Sequence, residues 1–273
     1  MIQKRRPMDI IVCVKQVPDT TDVKTDPKTG ALIRKGVPSI INPTDRHAIE
    51  AALQLREEHG GSVTALSMGP PQVRAALLEA YAMGVDDAVL LADSVFAGSD
   101  TWATAGVLAA GVRRLGRFDI ILCGRQAIDG ETAQTGPQLA EGLGIPQATE
   151  VQCIRQVDTA AGRLVVEQAS DFGCTAVDLP IPCLLAVTGS LNNPRYPRIA
   201  RVVKAHREFK LKVWGAADVD IDPGRCGLAG SPTRVVREFE PEPTSGVQMI
   251  EGQDAPEQVR NLVECLQTEH VLG

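Results

Sequence analysis

Apolar positions along this chain follow two rhythms, and the rhythms alternate. Short apolar runs at Asp9–Val17 (DIIVCVKQV), Ser62–Met68, Ala88–Leu91 and Ile120–Leu122 predict strands. Between them apolar residues recur every three or four positions. This predicts helices over 43–58 (stripe Ala48, Ile49, Ala52, Leu55), over 71–83, over 99–115 and from Thr132 onward. Asn42 is placed to cap the first helix, and Pro43 suits the first helical position, where its missing N–H costs nothing. Lys28-Thr29-Gly30 marks a turn in the polar excursion after the first strand. Strands alternating with helices predict an α/β fold, a doubly wound and mostly parallel sheet with right-handed crossovers.

Past Ile145-Pro146 the rhythm changes. Strands are predicted at 150–157 and 163–168, joined by a turn at Ala161-Gly162, and again at 175–179 and 182–187. These read as antiparallel additions to the sheet. A Pro- and Arg-rich stretch follows Thr188, and from Gly215 onward prolines and glycines break any pattern. This tail is either a disordered end or an arm that packs on another chain, and Val235, Val236, Phe239 and Met249 favour the arm. A last helix over 256–266 carries Val259, Leu262, Val263 and Leu266 at helical spacing. The expected organisation is an extension at 1–8, a nucleotide-binding α/β domain at 9–190, a loop and helix at 191–214 and a C-terminal arm at 215–273.

Ligands of such sheets bind beyond the carboxyl ends of the strands. That edge should carry Lys15-Gln16-Val17-Pro18, Ser67-Met68-Gly69 and Cys123-Gly124-Arg125-Gln126, converging on one crevice. The segment from Ile120 to Gly144 carries most of the chemistry: a strand, a small-residue loop, then a helix whose first N–H groups and positive dipole end attract an anion. Gly124 and Gly130 would let the backbone approach a ligand closely. Thr132, Gln134 and Thr135 add donors. The loop is neither G-x-G-x-x-G nor a Walker A loop, and an ordinary strand-to-helix turn with a Thr cap remains the plainer alternative.

Composition narrows the classes. The chain has 273 residues, 44% hydrophobic and 23% charged, as a globular protein does. Aromatics at 3% suit helices lying close on a sheet, and a net charge of −6 speaks against a nucleic-acid partner. Seven scattered cysteines (Cys13, Cys123, Cys153, Cys174, Cys183, Cys226, Cys265) include no C-x-x-C pair. They predict reduced thiols, no zinc site and a cytoplasmic location. No run is long enough to insert into a membrane. The histidines (His47, His59, His206, His270) are dispersed and expected to be exposed.

Five segments in order, IIVCVKQVPDT, INPTDRHAIEAAL, CGRQAIDGETAQTGPQLAEGLG, LNNPRYPRIARVVKA and GLAGSPTRVV, resemble the β-subunits of electron-transfer flavoproteins over nearly the whole chain. The resemblance implies an adenine-nucleotide-binding, Rossmann-like domain. It also implies an obligate heterodimer with an electron-transfer flavoprotein α-subunit that carries one FAD, each subunit embracing the other with an arm. In common members the β-subunit holds AMP as a structural ligand. In bifurcating members the same pocket holds a second FAD that accepts a hydride from NADH. One electron then goes to ferredoxin or flavodoxin. The other passes through the α-subunit FAD to an acyl-CoA dehydrogenase or quinone oxidoreductase.

The sequence leans towards the bifurcating pattern. Tyr196-Pro197 replaces the usual Tyr-Ala-Thr, Gly130 and Ala133 stand where AMP-binding members often have Asp and Asn, and SPTRVV at 231–236 fits. Thr135-Gly136 agrees instead with the AMP-binding pattern. Carried over, the resemblance assigns cofactor binding to Val14, Lys15, Gln16, Asn42, Ser67, Met68, Cys123, Gly124, Arg125, Gln126, Asp129, Gly130, Thr132, Ala133, Gln134 and Thr135. Arg125 is the candidate catalytic residue, since a guanidinium favours an anionic reduced flavin. Asp129, which phosphate would repel, should cap the helix or hold a hydroxyl. Leu191, Asn192, Pro194, Arg195 and Tyr196 would form the partner-docking loop, with Leu191 as anchor. The basic run Arg195, Arg198, Arg201, Lys204 and Arg207 would steer an acidic partner or support the α-subunit.

Overall fold

The computed structural model describes residues 6–19, 38–236 and 247–272. The chain divides into a unit ending at Val236 and a second unit from Arg237. The turn at Lys28-Thr29-Gly30 and the tail residue Phe239 lie outside the described residues.

In the first unit the predicted alternation is present: β1 (Met8–Cys13), β2 (Gln16–Pro18), β3 (Ser39–Ile41), α1 (Pro43–His59), β4 (Gly61–Met68), α2 (Arg74–Met83), β5 (Asp87–Leu91), α3 (Thr101–Leu115), β6 (Ile120–Gly124) and α4 (Thr135–Leu143). Then come β7 (Gln147–Asp158), β8 (Arg163–Ser170), β9 (Gly173–Pro180), β10 (Cys183–Val187), α5 (Ile199–Arg207), β11 (Lys212–Trp214) and the short α6 (Gly227–Gly230). Met8 begins β1 with 2% exposure, so the strand starts inside the expected extension.

Among the described residues nine strands form one sheet in the order β11-β5-β4-β1-β6-β10-β7-β8-β9, and β2 pairs with β3 apart from it. Within this sheet only the β7–β8 and β8–β9 pairings are antiparallel. β10 was expected among the antiparallel additions, but it inserts parallel between β6 and β7. Its CLLAV run is buried at every position, as suits a strand covered on both faces. β11, not anticipated, adds to the opposite edge beside β5.

Two apolar layers sandwich the sheet. Ala48, Ile49, Ala52 and Leu53 of α1 and Leu77 and Ala80 of α2 pack on one face. Val107, Leu108 and Val112 of α3 and Leu139 and Ala140 of α4 pack on the other. Residues 215–226, read from sequence as the start of an arm, belong to this second layer through Ala216, Val219 and Cys226. Burying small apolar groups against α3 stabilises that loop in spite of its prolines and glycines. Segment 191–214 is equally part of the body. Arg201 of α5 donates to the carbonyls of Tyr81 and Val85, and Phe209 stacks on Tyr81 at 4.2 Å.

The second unit contains α7 (Ala255–Thr268), capped by Asp254, whose side chain accepts from the Glu257 N–H. Its apolar residues Val259, Leu262 and Val263 are exposed. No helix among the described residues is long and apolar enough to cross a membrane.

Candidate functional site

The connections place the crevice. α1 and α2 cover one face of the sheet, α3 and α4 the other, and β1 and β6 are neighbours. The chain leaving β1 therefore turns to one face and the chain leaving β6 to the other. A cleft opens beyond their carboxyl ends. β1 and β6 pair only as far as Val12 and Leu122, after which the two lips diverge. The first lip is Val14, Lys15 and Gln16; the second is the loop from Gly124 to Gln134. Ser67 and Met68 end β4 beside them.

The cap and first turn of α1 tie the lips together, and besides Asn42 they do so through Thr44 and Asp45, to which the sequence assigned no role. Asp45 is 6% exposed and accepts from the Lys15 N–H at 2.7 Å, the Gly124 N–H at 3.0 Å and Asn42 Nδ2 at 3.0 Å. Burial pushes its carboxyl up to about 6, against the pull of those hydrogen bonds and the Lys15 charge. Asn42 makes no cap hydrogen bond to its helix. Its carboxamide behaves as a peptide neighbour to the loop: Nδ2 donates to the Gln126 carbonyl at 2.9 Å, and Oδ1 accepts from the Ile128 N–H at 3.2 Å. Thr44 Oγ1 also donates to the Gln126 carbonyl, at 2.7 Å. The Asn42 side chain thus holds the loop. One signal of Asp45 was legible, because an acid at 45 heads the apolar stripe 48–49–52 and so faces the core.

The glycines divide. A Cβ on Gly124 would lie 2.8 Å from the Thr44 backbone carbon and closer still to Thr44 Oγ1 and Asp45 Oδ1. The close packing of α1 is by itself enough to require glycine at 124. Gly130 is exposed with open space around it.

The loop enters α4 later than expected. The helix starts at Thr135, not Thr132, behind backbone in the left-handed region at Glu131 (φ 48°) and Ala133 (φ 53°). Non-glycine residues there carry strain, and strain clusters where function over-determines the backbone. Gln134 precedes the helix without a side-chain cap, so the first N–H groups of α4 have no side-chain partner among the described residues. Thr101 Oγ1 donates to Gln134 Oε1 at 3.1 Å. Next to Thr101, Asp100 caps α3 and accepts from the N–H and hydroxyl of Thr233. The SPTRVV segment is thereby brought to the same end of the sheet as the loop.

Other assigned residues fall as follows. Asp129 does not cap α4; it pairs with Lys15 Nζ at 2.5 Å, bridging the lips. Neutralised in this way, it repels an anion less than a free carboxylate would. Arg125 is half exposed and pairs through Nε with Glu150 Oε1 at 2.5 Å. Glu150 sits at φ 53° early in β7. Gln16 Nε2 donates to the Gln72 carbonyl, Val14 is buried, and Thr132 is exposed. Cys123 packs in the α3/α4 layer, and burial with the charges of Cys13 and Asp45 raises its thiol well above the ordinary value. A thiol buried in this way at the strand end is no nucleophile.

Among the described residues Ser67 Oγ, at the carboxyl end of β4, is buried without a partner. Unsatisfied groups of this kind fit a polar ligand. Two hollows lie elsewhere, one at the amino end of the sheet beside Arg6 and Asp119, another between α1 and β7. The carboxyl rim is the better guide here, because open sheets hold ligands there.

The docking-loop residues are seated on α1. Asn192 Nδ2 donates to the His47 carbonyl at 2.9 Å, and His47 Nδ1 lies 2.9 Å from the Asn192 carbonyl. Arg195 donates to Glu50 from its backbone N–H, Nε and a terminal nitrogen, and to Glu57 as well. Glu50 is 4% exposed; burial raises its pKa, but the hydrogen bonds and charge of Arg195 together hold it below the ordinary value. Arg195 and Arg201 are thus spent inside the molecule. Leu191 is half-buried against the core, which leaves Tyr196, 88% exposed, as the loop's free apolar group. His47 is engaged and His59 is buried, contrary to expectation for both.

Comparison with known proteins gives the family. Residues 29–218 match the electron transfer flavoprotein domain. The electron transfer flavoprotein subunit beta of Thermoanaerobacterium thermosaccharolyticum is 47% identical over 265 residues, covering 97% of this chain and all of that one. The caffeyl-CoA reductase-Etf complex subunit CarD of Acetobacterium woodii is 44% identical over 97% of this chain and all of its own length. Protein FixA of Azorhizobium caulinodans is 45% identical over 86% of this chain and 85% of its own. A family match over most of the chain, and similarity along the full length of such relatives, show that this protein belongs to the electron-transfer flavoprotein family, as a β-subunit.

Proposed function

We propose that the crevice between β1 and β6 holds FAD in a bifurcating electron-transfer flavoprotein, with NADH as hydride donor. The observation that carries the reading is the open, side-chain-free space at Gly130 beside the small Ala133. A dinucleotide needs more room along this loop than AMP does. The similarity to a subunit of a caffeyl-CoA reductase-Etf complex supports a role beside an acyl-CoA-reducing partner.

The bound flavin would supply hydride acceptance and one-electron release. The residues around it supply position and charge. The uncapped N–H groups of Thr135 and Gly136 at the start of α4 would meet the diphosphate. Ser67 Oγ and the polar groups of Gln16 and Thr132 would meet the remaining polar edges. Arg125, held by Glu150, would place positive charge near a reduced, anionic ring. The α-subunit would carry the second FAD and receive the arm formed by the second unit. Tyr196 would offer the transient contact for the acyl-CoA dehydrogenase or quinone oxidoreductase, and ferredoxin or flavodoxin would take the other electron.

The alternative is a conventional β-subunit with structural AMP, which Thr135 favours. Flavin content of the anaerobically purified heterodimer separates the two. Two FAD per heterodimer are expected; one FAD with one AMP would overturn the bifurcating reading.

A further inference from the structure

Asp45 performs no chemistry in the proposed function, yet it is the buried group on which both lips of the crevice converge. Beyond Val12 and Leu122 the ladder between β1 and β6 stops. From there the Asp45 carboxylate substitutes for the missing rungs: Oδ2 takes the Lys15 N–H, and Oδ1 takes the Gly124 N–H and Asn42 Nδ2. Asn42, 1% exposed, carries the grip outward to Gln126 and Ile128.

The geometry points to Asp45, extended by Asn42, as the positioning residue of the nucleotide site: it sets the separation of the two lips without touching the nucleotide. This rests on the crevice being the nucleotide site. A carboxylate is suited to the task because each oxygen accepts more than one hydrogen bond. In Asp45→Asn the shape is kept, but an NH2 group faces an N–H donor, and the lips must part to relieve it.

The test uses the full-length chain co-produced with the α-subunit, freed of bound nucleotide, and titrated with FAD and separately with AMP by calorimetry. Asp45→Asn is expected to weaken binding about tenfold or more, and to alter the visible circular dichroism of FAD that still binds. Asn42→Ala removes only the outer part of the grip; it should weaken binding less, and it carries the test if Asp45→Asn does not fold. The control is Asp119→Asn. Asp119 is also buried, accepts from the Asp9 N–H and lies at the opposite end of β6, so its loss should leave nucleotide affinity unchanged. Wild-type affinity in both crevice variants, or an equal loss in Asp119→Asn, would overturn the inference. Failure of the wild type to bind either nucleotide would instead remove the nucleotide reading, and the positioning role with it.

Discussion

Asp45 and Glu50 sit on the same helix, about one and a half turns apart, and are about equally buried at 6% and 4% exposure. Their environments differ. Asp45 meets two backbone N–H groups and an amide, and burial wins, raising it to about 6. Glu50 meets the Arg195 guanidinium, which holds it below its ordinary value despite burial. The contrast shows that burial alone does not set an acid's charge state; the partner that fills its hydrogen-bonding positions does. One helix thereby holds the crevice with uncharged donors and the docking loop with an ion pair.

The largest expected effect comes from forcing the two regions apart sterically. Gly124→Ala places a methyl group against Thr44 and Asp45, where backbone as well as side chain must yield. Overpacking of this kind should cost about 3 kcal/mol and strip the nucleotide, seen as a lowered denaturation midpoint and loss of bound flavin. Retained flavin and an unchanged midpoint would mean that α1 does not clamp the loop.

Next is the opposite pH dependence of the two acids. Asp45 binds its proton more tightly folded than unfolded. Its stabilisation is therefore full below the unfolded value of 3.8 and is lost as pH rises through about 6. At about 1.4 kcal/mol per unit, the wild type should lose on the order of 2–3 kcal/mol relative to Asp45→Asn between about pH 4 and 7. Glu50 is depressed, so its contribution is present above the ordinary value of 4.5 and is lost as pH falls through the folded pKa. Urea denaturation of wild type, Asp45→Asn and Glu50→Gln across this range reads both slopes. Parallel slopes in the two variants would dissolve the contrast.

Removing the charge of Glu50 should cost less than removing the whole partnership, because Glu57 still faces Arg195. Glu50→Gln is expected to cost about 2 kcal/mol at neutral pH. It should also raise amide hydrogen exchange over residues 191–196, and not over 124–128. Loosening of both segments together would mean that α1 transmits between them, rather than serving each locally.

Much of this was legible in the chain. Two-faced burial shows in apolar runs such as ILCG and CLLAV, and helical stripes show in 43–58, so layers and element types could be read. The place of β10 between β6 and β7 could not, because strand order depends on partners distant in sequence and CLLAV suits any interior position. The late start of α4 was hidden for a different reason. Nothing about Glu131 or Ala133 as residue types announces left-handed backbone. At the site, the loop and its convergence with Lys15 and Ser67 were readable, whereas the roles of individual residues were not. Gly124 looked like ligand clearance, and its contact with Thr44 and Asp45 of α1 could not be read from the loop. Arg125 could be named as a candidate from its charge, but its partner Glu150 reaches it from a distorted stretch of β7 that no local pattern marks.

The smallest expected effect concerns the bridge that closes the crevice from outside. Lys15 is half exposed and Asp129 is largely covered, so the pair should add less than about 1 kcal/mol to stability and be screened by salt. Its consequence for an anionic ligand is larger than its consequence for folding. With Lys15→Gln, Asp129 keeps its charge and loses its counterion at the mouth through which a diphosphate would enter. Affinity for FAD should then fall severalfold at low ionic strength while the melting temperature hardly moves, and Lys15→Gln with Asp129→Asn should recover most of that loss, since the repelling charge is gone as well. If instead the double variant binds as weakly as Lys15→Gln alone, Lys15 acts on the ligand directly, and the first lip contributes charge in addition to the N–H group that Asp45 holds in place.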